Sequence, residues 1–336
     1  MTNGASDPST GETGPALSRR QLLAGTSASA VALVPGSGHL VPRRADHGGG
    51  ANSAFLPGQP AANTLYLGSV LPVGTSVHQL EQKLGHALGS RRSYFQAHDI
   101  GDLVATARAD VRAGRFPVVS IKPPDTWRSV ARGNEDPWLR RILDGLDSIG
   151  GPVAFTVHHE PENDVRGKDS GMTPVWHRRM TERVVELGAQ RAPDVNVIQI
   201  LMAWTFHPRS ARRPQRWLAE NVSIFGLDAY NWWSPRHPRS ARWVGFGAML
   251  DRVKPYAGGK PLIVAEYGTR HDPDKRGRAA QWMTNAYEYA LVNNVIAMTY
   301  FNTSPPGIAE PFELRGERLR AFKKCLRDPR SVALTT

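Results

Sequence analysis

The chain has 336 residues, 40% of them hydrophobic and 21% charged, which is enough apolar material for a substantial core. Its net charge of +12 and pI near 10.2 come mostly from arginines spread along the chain, such as Arg91, Arg92, Arg140, Arg141, Arg212 and Arg213. No nucleic-acid-binding motif accompanies them, so no nucleic-acid partner is expected; the charge either solubilises the chain or draws it to anionic surfaces, glycans or wall polymers.

Cys325 is the only cysteine, which excludes an intrachain disulfide and thiolate metal clusters. At the N-terminus, "SRRQLLAGTSASAVALV" sets Arg19 and Arg20 before an apolar run from Leu22 to Val34. That run is about 13 residues, short for a membrane span but right for a signal h-region. The Ser-Arg-Arg-x-Leu-Leu order resembles a twin-arginine export signal. The expectation is a signal segment over residues 1–35, a flexible Gly/Pro/Ser-rich spacer over 36–62 and one catalytic domain over 63–330, exported to the outside or the cell wall with no membrane span in the mature protein.

Beyond Asn63 eight apolar runs follow in order: "LYLGSV", "RSYFQ", "FPVVSIK", "PVAFTVHHE", "NVIQILMAW", "VSIFGLDAY", "PLIVAEYG" and "VIAMTYFN". Each is short, rich in β-branched or aromatic residues and bounded by Gly, Pro or polar residues, as strands are. Between them lie stretches with apolar positions at helical spacing, such as "SVHQLEQKLGHAL", "DLVATARADVRAG", "PWLRRILDGLDSIG" and "AAQWMTNAYEYALVN". Apolar strands alternating with helices predict a parallel sheet covered on both faces. Eight such units in about 270 residues predict an α/β fold of the (β/α)8 TIM-barrel type. An open doubly wound sheet is the other arrangement of such units, but no G-x-G-x-x-G or P-loop is present, so no nucleotide cofactor is expected.

Polar residues gather at the C-terminal ends of these runs: Gln96 and His98, Lys122, Glu160, Trp204, Asp228 with Tyr230, Glu266 and Asn302. In a barrel this is the rim on which active sites are built, so Glu160 and Glu266, far apart in sequence, arrive at one place. Two carboxyl groups facing each other across a sugar-sized gap are the apparatus of glycoside hydrolysis.

"HE" ending the fourth run, "GLDAYNW" the sixth, "IVAEYG" the seventh and "YFN" the eighth resemble, in this order, the motifs of glycoside hydrolase family 26, which contains β-mannanases and related retaining endo-glycanases. The resemblance spans nearly everything after Asn63. It implies Glu160 as acid/base with His159 before it, Glu266 as nucleophile, and Tyr230 as the tyrosine that orients the nucleophile. Two departures stand out. Thr156 occupies the place where family members often carry an arginine, and Pro161, Glu162, Asn163, Asp164 and Val165 replace the usual mannanase continuation. The expected function is therefore an exported, monomeric, retaining endo-glycosidase of a β-linked polysaccharide whose sugar is open. A non-catalytic glycan-binding barrel and a glycosidase of the producer's own envelope polymers are the alternatives.

Some residues near the rim have competing readings. Glu162 would share a strand face with Glu160 if the strand continued, but Pro161 argues against continuation. His158 and His159 beside Glu160 do not make the zinc spacing H-E-x-x-H, because Asn163 stands where the second histidine is needed; no metal is expected, and alternation should turn one imidazole towards the mouth. Trp127, Trp204, Trp232, Trp233, Tyr300 and Phe301 are candidates for stacking on sugars, with core packing as the alternative; Trp204 and Trp232 are favoured because they follow strand ends. Trp176 and Trp282 fall in helical stretches and are read as structural.

Overall fold

The computed structural model describes residues 56–236, 241–303 and 312–335. The expected signal segment and the spacer up to residue 55 lie outside the described residues. From Tyr66 onward the chain alternates strand and helix: β1 (Tyr66–Val70), α1 (Val77–Leu84), β2 (Ser90–Phe95), α2 (Ile100–Arg112), β3 (Phe116–Ile121), α3 (Trp127–Ala131), α4 (Asp136–Asp147), β4 (Val153–Val157), α5 (Pro174–Arg191), β5 (Val195–Val197), β6 (Gln199–Met202), β7 (Phe225–Asn231), α6 (Phe246–Ala257), β8 (Leu262–Thr269), α7 (Arg278–Leu291), β9 (Val295–Tyr300) and α8 (Gly316–Leu326).

Every pairing is parallel, and the hydrogen-bonding order is β5-β4-β3-β2-β1-β9-β8-β7-β6. The two ends of that order, β5 and β6, are consecutive pieces of one extended segment interrupted at Ile198. Nine strands therefore form eight staves, and the ring closes as a (β/α)8 barrel. Ile198 still donates to the Phe155 carbonyl at 2.8 Å, so the interruption leaves β4 and the β5–β6 stave joined.

Local sequence explains the regularity. Helix α1 starts on a capping box, in which Ser76 and Gln79 satisfy each other's backbone N–H groups, and ends on Gly85 in the left-handed conformation. Its buried face is Leu80 and Leu84. Gly68 on β1 lies so close to β2 that a Cβ there would stand 1.9 Å from the Ser90 carbonyl oxygen, so only glycine allows this pair of staves to approach.

Packing extends past both expected ends of the catalytic domain. Asn196 donates to the Pro57 carbonyl, and Pro60 is buried. At the other end Leu65 bonds to the backbone of Arg330 and Val332, and Leu334 donates to the Gly114 carbonyl at 2.7 Å. These contacts lay the last residues across the N-terminal ends of β1 and β3, opposite the rim that carries the acidic residues. No helix among the described residues is long and apolar enough to cross a membrane.

Candidate active site

Glu266 sits on β8 with none of its surface exposed. Its register partner on β7 is Asp228, beside an irregularity between Leu227 and Asp228. Two phenols converge on it: Tyr94 donates to Oε1 at 2.7 Å, and Tyr230, from β7, donates to Oε2. Burial and the Glu266 charge hold the Tyr94 hydroxyl well above its ordinary pKa, so it remains a donor. Arg92 Nε and His159 Nε2 each stand 4.0 Å from Oε1. The Arg92 side chain is fully buried, anchored to the Ser93 and Val118 carbonyls and lying 4.5 Å from the Tyr94 ring centre. Arg92 and Tyr94 are two residues apart on β2, so alternation delivers both to the same face.

Glu160 reaches the same place by a different route. Strand β4 ends at Val157, not at Glu160 as the sequence suggests. The next residues bend, with His158 and Glu160 both in the left-handed region at φ of 62° and 45°. Such conformations cost of order 1–3 kcal/mol each for residues other than glycine and persist only when surroundings enforce them. The enforcing contacts are visible: the His158 N–H donates to Ile121, the Glu160 N–H donates to Ile200, and His177 Nε2 donates to the His158 carbonyl at 3.1 Å. Pro161 then opens a 3-10 turn through Asn163, whose amide donates to Glu160 Oε2 at 3.1 Å. Glu160, Asp228 and Glu266 end with one carboxylate oxygen each, all within 4.8 Å of one another.

The bend divides the two histidines. His159 faces the carboxylates and pairs through Nδ1 with Ser120 at 3.0 Å. His158 points away: its Nδ1 accepts from the Trp127 indole at 2.8 Å, which puts its proton on Nε2, and Nε2 donates to Asp164 at 2.7 Å. Lys122 donates to the same Asp164 oxygen at 2.8 Å. Burial pushes His158 down to about 4 and His177 to about 3, while His158 and Lys122 hold Asp164 well below the usual carboxylate range. Lys122 thus meets the side chains of His158 and Asp164 on either side of Glu160, outside the carboxylate cluster.

Glu162, the alternative acid, is turned elsewhere. Its Oε1 accepts from the Met202 N–H at 2.9 Å and from the Thr205 hydroxyl at 2.5 Å, and its Oε2 is buried without a hydrogen-bond partner. Burial raises its pKa to about 7. Glu162 ties the turn after Glu160 to the 3-10 turn Ala203–Phe206, which carries Trp204.

The aromatic candidates separate by exposure. Trp204 is 48% exposed and stacks on His207, and Trp232 is 38% exposed and packs against Tyr230; both can present a face to a sugar. Tyr300 and Phe301 cannot serve as platforms. Tyr300 is fully buried with its hydroxyl directed at the Thr269 carbonyl, and Phe301 packs edge-on behind Tyr230. Trp127 is likewise buried, and Trp233 packs on Trp243 with Arg278 against both rings. The His98 side chain is 83% exposed and contacts Asp99, outside the cluster. Asn302 is buried and accepts from the Leu314 N–H.

Glu160, Asp228 and Glu266 are also the one group of three among the described residues close enough to share a cation. An all-oxygen set would favour a hard ion such as Mg2+ or Ca2+. Here both oxygens of Glu266 already accept from phenols and Arg92 stands alongside, which fits a carboxylate held by donors better than a metal ligand.

The molecule is therefore a (β/α)8 barrel with a pair of glutamates at the C-terminal ends of its strands, one of them caged by phenols. No family model matches the sequence, and no curated protein matches it. Solved structures do match. An endo-beta-1,4-mannanase double mutant from Cellulomonas fimi is similar with a TM-score of 0.53 and 15% identity, over 81% of this chain and 72% of that one. GH26C from Muricauda sp. MAR_2010_75 matches with a TM-score of 0.52 and 14% identity, over 81% and 87%. A modular Cellulomonas fimi endo-beta-1,4-mannanase of glycoside hydrolase family 26 gives 0.52 and 16%, over 81% and 72%. The chain shares the fold of family 26 mannanases.

Proposed function

We propose that the protein is a retaining glycoside hydrolase that cleaves a β-linked polysaccharide. The observation that carries this reading is the approach of the Glu160 and Glu266 carboxylate oxygens to within 4.8 Å. Retaining enzymes hold their carboxyl groups about 5 to 5.5 Å apart, whereas inverting enzymes need about 6.5 to 9.5 Å to admit a water between them. In the first step a Glu266 oxygen attacks the anomeric carbon, the glycosidic C–O bond breaks, and Glu160 gives its proton to the departing oxygen. In the second a water attacks the same carbon, Glu160 takes the water's proton, and the ester to Glu266 breaks.

Tyr94 and Tyr230 orient the nucleophile by hydrogen bonds, and Arg92 and His159 stand 4.0 Å from its Oε1. Trp204 and Trp232 supply stacking faces for the chain of sugars, which favours endo action along a polymer. The resemblance of motifs and the shared fold favour a backbone of the mannan type or a related β-linked glycan, with its substituents left open. The N-terminal arginine pair supports export of the folded enzyme.

The test is digestion of a panel of β-linked glycans by the wild type and by Glu266→Ala, with the first-formed anomer read by proton NMR. Release of the β-anomer by the wild type and its absence in a folded Glu266→Ala are expected. First release of the α-anomer, or full activity in the variant, would overturn the reading.

A further inference from the structure

Beside the rim, between the turn that follows β6 and the start of α6, lies a cleft of about 560 Å3. Arg209, Arg242, Arg252 and His207 line it, with Gly245 and Ala248 from the beginning of α6. No aspartate or glutamate lines it, and no hydrogen bond or ion pair engages any of the three guanidinium groups among the described residues. Elsewhere arginines such as Arg183, Arg191 and Arg330 are paired with carboxylates. The charge of Arg252 and Arg209 adds to burial in lowering the pKa of His207, so the positive potential converges inside the cleft. Helix α6 starts at Gly245 without a side-chain cap, so its first-turn N–H groups add to the same potential.

The cleft adjoins the carboxylate pair. Met202 at the end of β6 is the register partner of Asp228, which is within 4.8 Å of both glutamates. One 3-10 turn further, Trp204 stacks on His207 at 4.4 Å between ring centres, and His207 forms the near wall of the cleft. A polymer lying over Trp204 would pass directly into the basic cleft.

We propose that this cleft is a subsite for an anionic substituent, carboxylate or sulfate, carried by the glycan, so that the substrate is an acidic polysaccharide. The proposal rests on the glycosidase reading above. Planar guanidinium groups match both oxyanions in bidentate geometry, and neutral mannan offers nothing to satisfy three of them.

Binding separates this proposal from turnover. The Glu266→Ala chain is titrated calorimetrically with a polyuronate, a sulfated galactan and neutral mannan, then compared with the same chain carrying Arg209→Ser and Arg252→Ser. A matched control carries Arg140→Ser and Arg141→Ser, on exposed positions of α4. One charged polymer is expected to bind at least about tenfold more tightly than mannan, with the cleft pair losing about that factor and the α4 pair keeping it. Charged polymers binding no better than mannan, or both pairs losing affinity equally, would overturn the subsite. The polymer preferred identifies the substituent. Failure of the wild type to cleave any glycan, with the binding pattern intact, would overturn the glycosidase reading alone.

Discussion

Tyr94 on β2 donates its phenolic hydrogen to Glu266 on β8 at 2.7 Å, across the mouth of the barrel. The bond joins staves separated by β1 and β9 and shares the carboxylate with Tyr230 from the neighbouring strand. A hydrogen bond to a charged group contributes about 1.5–3 kcal/mol. Tyr94→Phe should therefore lower kcat by about tenfold to a hundredfold, with a thermal midpoint within a few degrees of wild type. Unchanged kcat would show that Tyr230 alone orients Glu266.

Glu160→Ala should separate the two steps. Loss of a general acid costs about 10²- to 10⁴-fold on a natural glycan. An aryl glycoside with an acidic phenol leaving group needs no proton in the first step, so its burst of phenol should persist. Azide should then release a product of retained configuration. Equal loss on both substrates would remove Glu160 from the acid role.

Glu162 predicts a stability effect at neutral pH. Its folded pKa of about 7 lies above the ordinary 4.5, so the folded state keeps a proton that the unfolded state releases between those values. Its contribution is full below pH 4.5 and is lost as pH rises through 7. Glu162→Gln should flatten this decline and gain about 3 kcal/mol relative to wild type between pH 4.5 and 8. Chemical denaturation at the two pH values measures it, and parallel curves would contradict the assignment.

His158 acts in the opposite direction. Its folded pKa of about 4 is below the ordinary 6.5, so the unfolded chain binds a proton that the folded one refuses between those values. Stability should fall as pH drops from 6.5 to 4, with a slope of about 1.4 kcal/mol per unit from this residue. His177 adds to the same slope. His158→Gln should be less stable at pH 7 yet shallower in its acid response. The same slope in the variant would exclude His158 as a source.

Much of the frame was legible because strand ends are marked chemically. The eight apolar runs matched eight staves, and the run containing Ile198 became two strands of one stave without altering the count. Asp228, Tyr230 and Glu266 converge from β7 and β8 as their places near strand ends implied, and Glu160 joins them from the bend beyond β4. Arg92 and Tyr94 carry no such mark: the polar end of the run "RSYFQ" is Gln96, and Arg92 is one of many scattered arginines. Their two-residue spacing was the available signal, since it puts both on the face of β2 that Glu266 meets. The left-handed residues at His158 and Glu160 left no mark beyond Pro161, because they are imposed by Trp127, His177 and Ile200 from other elements. Tyr300 and Phe301 show why an aromatic at a strand end is ambiguous: the same ring can face a sugar or support the tyrosine behind it.

The interruption at Ile198 gives the two glutamates unequal footing. Glu266 belongs to a strand paired with β7 on both sides of an irregularity at Leu227/Asp228, and with β9 from Leu262 to Val264 and again at Tyr267. Glu160 follows a strand whose partner on one side matches it only from Val153 to Phe155, and beyond that a single backbone bond to Ile200 ties it to the next stave. Glu266 lies inside a strand of the barrel wall, while Glu160 lies in the bend beyond its strand, where its own N–H is held only by Ile200. The Glu160 amide should exchange with deuterium sooner than that of Glu266, and a glycan pressing on the Trp204 turn would reach the acid's tether through Glu162 before it touched the nucleophile.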